Sequence, residues 1–267
     1  MQKNIFHIHT YICKHSSNKL EEIVAYALKH NYKKLYFTEH APITIKCPYQ
    51  TRRASYQEIA QLKNKIDSFN NKYKNKLKIY FGYEIEYNKP NRWYIKELAK
   101  DPYCEFLIFG NHFYGDLFKM QIPLPLVMNV TKTKEQLKEY DANNKAAMAS
   151  GLISWVAHPD IYLNSYQKWD TTAKTVANNI IKWAIKYKLP LGFNVNFKKP
   201  KSEWHYPVKK FWTLVAKTNI SVLIESDAHD MHSIKTQWLN QARKLAISYG
   251  LKKNLIDDVK IKYLKKK

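Results

Sequence analysis

Short apolar runs alternate with stretches of helical spacing along the whole chain, and this alternation constrains the fold more than any other feature. About seven such runs occur, at 5–8, 34–38, 78–87, 106–110, 153–157, 190–196 and 221–226. Strands that alternate with helices predict a parallel sheet, and near-continuous apolar runs are typical of strands buried on both faces. Seven such units predict one α/β barrel. We therefore expect residues 1–267 to form a single domain.

Polar residues able to bind metal stand at or just after the C-terminal ends of most apolar runs. They are His7, His9, His40, Glu84, His112, His158, Asp227 and His229. Barrel active sites gather at the C-terminal ends of the strands. The period of the sequence therefore predicts one site at which these side chains converge.

The first run ends in His7-Ile8-His9, and His15 follows six residues later. Residues i and i+2 of a strand point the same way, so His7 and His9 can direct two imidazoles at one point. Neutral imidazole is the commonest metal ligand. Histidines near an N-terminus are also common on surfaces, so the motif indicates a metal site only together with the other strand ends.

Composition favours a cytoplasmic protein that is not bound to a membrane. The N-terminus has no apolar stretch typical of a signal peptide, and no long uncharged apolar run occurs. The three cysteines, Cys13, Cys47 and Cys104, are odd in number and widely spaced. A disulfide framework is therefore not expected.

The chain is strongly basic, with 45 Lys and Arg against 22 Asp and Glu, a net charge of +23. Only four of these cations are arginines, and the lysines are spread along the chain. Base recognition relies more on arginine, so we interpret the excess as biased composition and do not expect a nucleic-acid partner. Such a field would still attract anionic substrates.

Six motifs in order resemble the polymerase and histidinol phosphatase (PHP) superfamily, most of all its histidinol-phosphatase branch. They are His-x-His-Thr-x-x-Cys-x-His from His7, Thr-Glu-His ending at His40, Gly-x-Glu ending at Glu84, Gly-x-His ending at His112, Ala-His-Pro-Asp with His158, and Ser-Asp-Ala-His with Asp227 and His229. The resemblance covers nearly the whole chain. It implies a distorted (β/α)7 TIM-like barrel and three divalent metal ions, which can be Zn, Fe or Mn.

The resemblance also implies which residues hold each ion. The first ion would have His7, His9, Glu84 and Asp227; the second would share Glu84 and add His112 and His158; the third would have His15, His40 and His229. Glu86 lies on the same side of its strand as Glu84, so either could bridge two ions, and the family spacing favours Glu84. Cys13 is interpreted as a buried neighbour, not as a ligand.

Two adjacent cations lower the pKa of a shared water and supply hydroxide at neutral pH. Glu84 would bridge these ions, and Asp227 or His229 would protonate the leaving group. Glu39 and Asp160 stand next to ligands, where carboxylates orient imidazoles; each could equally be a residue of the rim.

The chain departs from the family where a Glu-x-Asn-x-x-Gly-x-Arg motif is expected, because Asn194 stands at the Glu position and no arginine follows. Candidate phosphate ligands are Lys198 and Lys199, as point charges, and Arg52 and Arg53. An exposed, solvated pair is the favoured interpretation of the two arginines.

These features predict a metal-dependent phosphomonoesterase that acts on a small phosphorylated substrate, with histidinol-phosphatase activity as the first choice. The alternatives are another small phosphoester or a nucleotide, a nuclease-like activity on DNA ends, and a non-catalytic binding protein built on the barrel. The complete set of candidate ligands argues against a non-catalytic binding protein, because burying so many polar groups together lowers stability unless they bind something.

Overall fold

A computed structural model describes residues 2–43, 53–119, 125–195 and 206–264. Within them, seven parallel strands close into a barrel in sequence order, with β7 paired to β1. The strands are β1 (Asn4–Ile8), β2 (Lys34–His40), β3 (Lys78–Ile85), β4 (Phe106–Phe109), β5 (Ile153–Val156), β6 (Leu191–Asn194) and β7 (Val222–Ala228). The predicted (β/α)7 barrel is confirmed.

Helices follow the strands as the apolar spacing predicts. They are α1 (Leu20–Lys29), α2 (Tyr56–Lys72), α3 (Arg92–Leu98), α4 (Val127–Val130), α5 (Lys134–Ala149), α6 (Thr171–Tyr187), α7 (Lys209–Val215) and α8 (Thr236–Ser248). None of the helices in these described ranges is both long enough and apolar enough to cross a membrane.

The three longest helices begin at side chains that cap them. Ser55 with Glu58, and Thr133 with Gln136, form capping boxes at the starts of α2 and α5. At the start of α6 the Asp170 carboxylate accepts a hydrogen bond from the Ala173 N–H. Each cap satisfies backbone donors that the first helical turn leaves free, so these side chains define where the helices begin.

The interior of the barrel has an aromatic layer toward the N-terminal ends of the strands. Phe6 stacks on Tyr36 at 4.6 Å between ring centroids, and Phe106 stacks on Trp155 at 5.4 Å. All four side chains are buried. We call these four residues, with Ile108 and Leu223 of the same cluster, the aromatic layer.

The C-terminal segment, residues 256–264, crosses the barrel at the N-terminal ends of the strands. Its backbone N–H groups donate to the Val222 carbonyl, the Ser154 hydroxyl and the Glu105 carbonyl. Ile256, Val259 and Ile261 belong to the same apolar cluster as the aromatic layer. This segment therefore closes the end of the barrel opposite the metal-binding motifs.

Candidate metal centre

All nine predicted ligands lie at or just beyond the C-terminal ends of the strands, and the fold brings them together. His7 and His9 come from β1 and the residue after it, His40 from β2, Glu84 from β3 and Asp227 from β7. The others lie on the segments that follow β1, β4, β5 and β7. His15 is exposed and His112 and His229 are partly buried, whereas the remaining six are buried.

Glu84 is the centre of this arrangement. Its carboxylate oxygens lie 3.0–3.4 Å from imidazole nitrogens of five histidines, His7, His9, His40, His112 and His158. Of the two acids at the end of β3, Glu84 is therefore the one placed to bridge. Glu86 instead holds one of the ligands, because its carboxylate accepts from the backbone N–H (2.9 Å) and from Nδ1 (2.6 Å) of His112.

His7 and His9 converge, with their Nε2 atoms 3.0 Å apart. Asp227 Oδ1 lies 3.6 Å from His7 Nε2 and 3.5 Å from His9 Nε2. The ligand atoms of these three residues fit within 4.8 Å of one another. The grouping expected for the first ion is therefore present, with Glu84 beside it.

The other two groups also have the spacing of metal ligands. His15, His40 and His229 each place one ligand atom within 4.8 Å of the other two, and so do Glu84, His158 and His7. His112 Nε2 joins the latter group at 3.4 Å from Glu84 Oε1. These contacts leave His40 Nδ1 and His229 Nε2 buried without a hydrogen bond to any described residue.

Three of the ligands have left-handed backbone conformations that non-glycine residues rarely adopt. The φ angles are 63° at His7, 29° at His158 and 42° at Asp227. Such conformations cost about 1–3 kcal/mol each and persist where surrounding structure enforces them, typically at functional sites.

The strain at His7 accompanies a β-bulge, because the pairing of β1 with both neighbours shifts register between Phe6 and Ile8. Phe6 belongs to the aromatic layer, whereas Ile8 packs on the outside of the barrel. The extra residue lets His7, next to inward-facing Phe6, face inward as well. Simple alternation predicted the correct outcome for His7 and His9, but a bulge produces it.

Charges in the cluster set the protonation of its members. Burial alone would raise the pKa of Glu84, but the neighbouring His112 and His7 hold it well below 4.5. Burial likewise opposes ionisation of Asp227, yet His7 and His9 keep its pKa well below 3.8. Burial lowers the pKa of His229 to about 3 and, together with the Arg53 guanidinium, lowers that of His40 well below 6.5. Burial opposes protonation of His7 and His112, but the Glu84 carboxylate raises the pKa of His7 well above 6.5 and that of His112 to about 9. Ionised carboxylates and neutral imidazoles are the forms that bind divalent ions, so ions bound at His7 and His112 would displace protons.

Glu225 is a buried residue of the candidate site that the sequence did not indicate. Its carboxylate lies 3.3 Å from His7 Nδ1 and accepts hydrogen bonds from Trp155 Nε1 (3.3 Å) and from the His158 backbone N–H (2.8 Å). A Cβ at Gly192 on the neighbouring strand would lie 2.2 Å from this carboxylate. Glu225 therefore orients two ligands. Its position two residues before Asp227, on the same side of β7, was the available signal.

Two further residues, Asn194 and Gly110, help to position candidate ligands. Asn194 Nδ2 donates to Asp227 Oδ2 at 3.0 Å, so the residue at the family's Glu position orients a ligand. A Cβ at Gly110 would lie 2.1 Å from Glu84 Oε1. Glycine at this position leaves the space that the central carboxylate occupies.

The two acids expected to orient imidazoles bind other groups. Glu39 accepts from the Thr10 backbone N–H at 2.7 Å, and burial raises its pKa to about 7. Asp160 accepts from Val208 N–H (2.7 Å) and Trp212 Nε1 (2.9 Å), and burial raises its pKa to about 6. Both side chains are buried, not at the rim, and their hydrogen bonds hold the loops that carry the ligands.

Cys13 is buried, and burial raises the pKa of its thiol to about 12. A neutral thiol is a poor metal ligand. Its sulfur nevertheless lies within 4.8 Å of ligand atoms of His9 and His229. Its assignment as a packing neighbour therefore stays a prediction.

Of the four candidate phosphate ligands, only Arg53 lies within the described residues. Arg53 is only 5% exposed, so the interpretation of an exposed, solvated pair is wrong for this residue. Its charge lowers the pKa values of His40 and Cys13. Arg52, Lys198 and Lys199 lie outside the described residues.

Comparison with protein families identifies one domain. The model of the PHP domain family matches residues 6–196. The histidinol-phosphatase of Bacillus subtilis (strain 168) is 33% identical over 92 residues, which is 33% of this chain and only 34% of that relative's length.

Two solved structures share the fold over most of their length. The histidinol phosphate phosphatase of Lactococcus lactis, whose crystals hold Zn, L-histidinol and phosphate, superposes with a TM-score of 0.70 at 18% identity and covers 93% of this chain and 94% of its own. A proposed histidinol phosphatase from Listeria monocytogenes has a TM-score of 0.71 at 19% identity, covering 89% and 99%. At these identities the likeness shows the fold alone.

Proposed function

This chain belongs to the PHP domain family, and on that premise we propose that it is a metal-dependent hydrolase of phosphoric monoesters. The observation that carries the proposal is the position of Glu84, a buried carboxylate within 3.4 Å of five imidazoles. A buried charge surrounded by so many ligand-type groups is costly unless it binds cations.

We assign three ions to three sets of residues. His7, His9, Glu84 and Asp227 would hold the first, Glu84, His112 and His158 the second, and His15, His40 and His229 the third. The spacing within 4.8 Å of His7, His9 and Asp227, and of His15, His40 and His229, supports two of these sets. The 3.0 and 3.4 Å contacts of Glu84 with His158 and His112 support the other.

Divalent ions at such a site supply a hydroxide nucleophile at neutral pH and neutralise charge on the phosphoryl oxygens. The chain's own residues fix the geometry: Glu225 holds His7, Glu86 holds His112 and Asn194 holds Asp227. Proton donation by Asp227 or His229 stays a prediction. The low pKa of both groups favours metal binding over that role.

Arg53 is our candidate for binding the substrate phosphate. It is buried beside His40, and a guanidinium can donate two parallel hydrogen bonds to phosphate. We expect Arg53→Lys to raise KM for the phosphoester by about tenfold with a smaller change in kcat, because lysine keeps the charge and loses the fork. Lys244→Arg, at an exposed position on α8, is the matched control and is expected to leave both constants unchanged.

L-Histidinol phosphate is the first candidate substrate, since the relatives of this chain in Bacillus subtilis and Lactococcus lactis act on it by name. Another small phosphoester is the second, because Asn194 replaces the expected carboxylate. We place the reaction in a reducing cytoplasm, in keeping with the buried free thiols of Cys13 and Cys104.

The test is phosphate release from L-histidinol phosphate and a panel of phosphomonoesters, with elemental analysis of the same protein. We expect metal-dependent turnover and about three ions per chain. A preparation that holds metal but releases no phosphate from any phosphoester would contradict the proposal. Turnover that Glu84→Gln leaves intact would contradict the assigned site.

A further inference from the structure

An open pocket of about 340 Å³ lies between the segment that follows β5 and the start of α7. Both segments follow strand ends, so the pocket opens on the same face of the barrel as the metal centre. Its walls combine apolar and cationic side chains: Leu163, Trp169 and Val208, with Lys168, Lys209 and Lys210. A pocket of this size can hold part of a small organic ligand.

A buried carboxylate connects the pocket to the metal centre. Val208, one of the lining residues, donates its backbone N–H to Asp160 at 2.7 Å. Asp160 follows His158 by two residues, and Trp212 Nε1 donates to the same carboxylate oxygen. The pocket wall is therefore anchored to the loop that carries a metal ligand.

The three lysines have no acidic partner among the described residues, since none of the ion pairs there involves Lys168, Lys209 or Lys210. Two carboxylates near these lysines in the sequence are already engaged, and a third, Glu203, lies outside the described residues. Asp170 caps α6 and accepts from the Tyr166 hydroxyl at 2.7 Å, and Asp160 accepts two hydrogen bonds. The pocket is thus lined by three lysines that form no ion pair with any carboxylate among the described residues.

This charge does not suit the leaving group of L-histidinol phosphate, which carries an ammonium group at neutral pH. Lysines favour phosphate as point charges, and the indole of Trp169 offers an apolar wall for a carbon skeleton. The pocket therefore selects against a cationic leaving group and for an anionic one.

We propose that the pocket of Lys168, Lys209 and Lys210 binds a second phosphate of the substrate, so that the enzyme prefers a phosphomonoester whose leaving group is itself phosphorylated. This inference rests on the proposed phosphomonoesterase activity and chooses the second of its two candidate substrate classes.

The experiment compares three phosphoesters whose leaving groups differ in charge: fructose 1,6-bisphosphate (anionic), fructose 6-phosphate (neutral) and L-histidinol phosphate (cationic). We expect the highest kcat/KM for the bisphosphate. In the triple variant Lys168→Gln, Lys209→Gln, Lys210→Gln, its KM should rise by about tenfold at similar kcat, since the lost contacts hold ground state and transition state alike. Fructose 6-phosphate should change by less than about twofold.

A matched control removes the same charge elsewhere. Lys244, Lys252 and Lys253 are exposed on α8 and just beyond it, and their replacement by glutamine lowers the net charge equally. If both triple variants weaken bisphosphate turnover equally, the general field of the protein is responsible and the pocket proposal is overturned. A wild-type preference for L-histidinol phosphate would also overturn it.

Titration of the Glu84→Gln protein with fructose 1,6-bisphosphate separates this proposal from the proposed function. Binding that weakens about tenfold on loss of the pocket lysines would support the pocket even if no phosphoester were hydrolysed. Binding that does not depend on these lysines would overturn it, whatever the enzyme's activity.

Discussion

The two halves of the barrel interior are built by the same strands for opposite purposes. Toward the N-terminal ends, Phe6, Tyr36, Phe106 and Trp155 fill the barrel with stacked rings. Toward the C-terminal ends, buried carboxylates and imidazoles face one another at 3.0–3.6 Å. The first arrangement stabilises a fold through apolar burial, whereas the second costs stability until cations occupy it.

One contact links the two halves. Trp155 lies in the aromatic layer, yet its indole N–H donates to Glu225, whose carboxylate also contacts His7. The stable half thus supplies a rigid support on which the ligands are oriented. Substitutions toward the C-terminal ends of the strands should therefore alter activity at little cost in stability. Substitutions in the aromatic layer should lower stability with little effect on activity.

The largest effect is expected from the loss of the central carboxylate. Glu84→Gln should lower kcat/KM by at least about 10³-fold and reduce the bound metal, because the group that contacts five imidazoles loses its charge. Steady-state kinetics and elemental analysis test this. The metal-free variant should stay folded, and a collapse of its urea midpoint would break the comparison.

The reverse effect is expected in the aromatic layer. Phe106→Ala should lower the free energy of unfolding by about 3–5 kcal/mol, because a buried ring leaves a cavity. Urea denaturation measures this, with Phe106→Leu as a control that should cost less than Phe106→Ala because it leaves a smaller cavity. Turnover per folded molecule should change little, and a large loss would show that the two halves are not separate.

An intermediate effect is expected at the link. Glu225→Gln should reduce metal affinity or kcat/KM by about 10–100-fold, the usual cost of losing a group that orients ligands. Trp155→Phe removes only one of the hydrogen-bond donors to Glu225 and should reduce metal affinity by less than Glu225→Gln does. Isothermal titration with Zn²⁺ compares the two variants, and equal losses would assign the effect to packing, not to orientation.

The smallest effect is expected at the closed end. Asp258 accepts from Tyr36 and pairs with Lys34, and these contacts outweigh partial burial to lower its pKa. Asp258→Asn should cost less than about 1 kcal/mol because solvent screens the pair. A group with a lowered pKa stabilises the fold above its unfolded pKa and loses this effect as pH falls through its folded pKa, so the difference from wild type should shrink progressively below about pH 4. A difference that is the same at pH 7 and at pH 2 would contradict this origin.

The repeat of strands and helices was predictable because each strand is an apolar run and the longest helices carry caps. The convergence of the candidate ligands was predictable for a related reason: parallel strands end at one face, so His40, Glu84 and Asp227 were expected to meet there. Spacing alone left Glu84 and Glu86 equivalent. Only the fold shows that one contacts five imidazoles and the other holds His112.

What could not be predicted depends on tertiary geometry. The bulge that turns His7 inward arises from pairing with β2 and β7, which no local pattern encodes. The burial of Arg53 depends on tertiary packing, which the pair of arginines in the sequence does not reveal. In the sequence, Glu225 is one residue of an apolar strand. Only its contacts with Trp155 and His7 in the fold indicate a role at the site.

Closure of the ring has a consequence for folding kinetics. β1 pairs with β7, and Ser226 donates to the His7 carbonyl across 219 residues of chain. Until β7 docks, β1 and β6 both present open edges that invite aggregation, and so distant a pairing forms slowly. Asp227 lies on β7 and His229 directly follows that strand, so the set of candidate ligands is completed only when the ring closes. A divalent ion bound by both His7 and Asp227 would therefore link β1 to β7. Its binding would follow the last step of folding, and it would slow the separation of the two strands during unfolding.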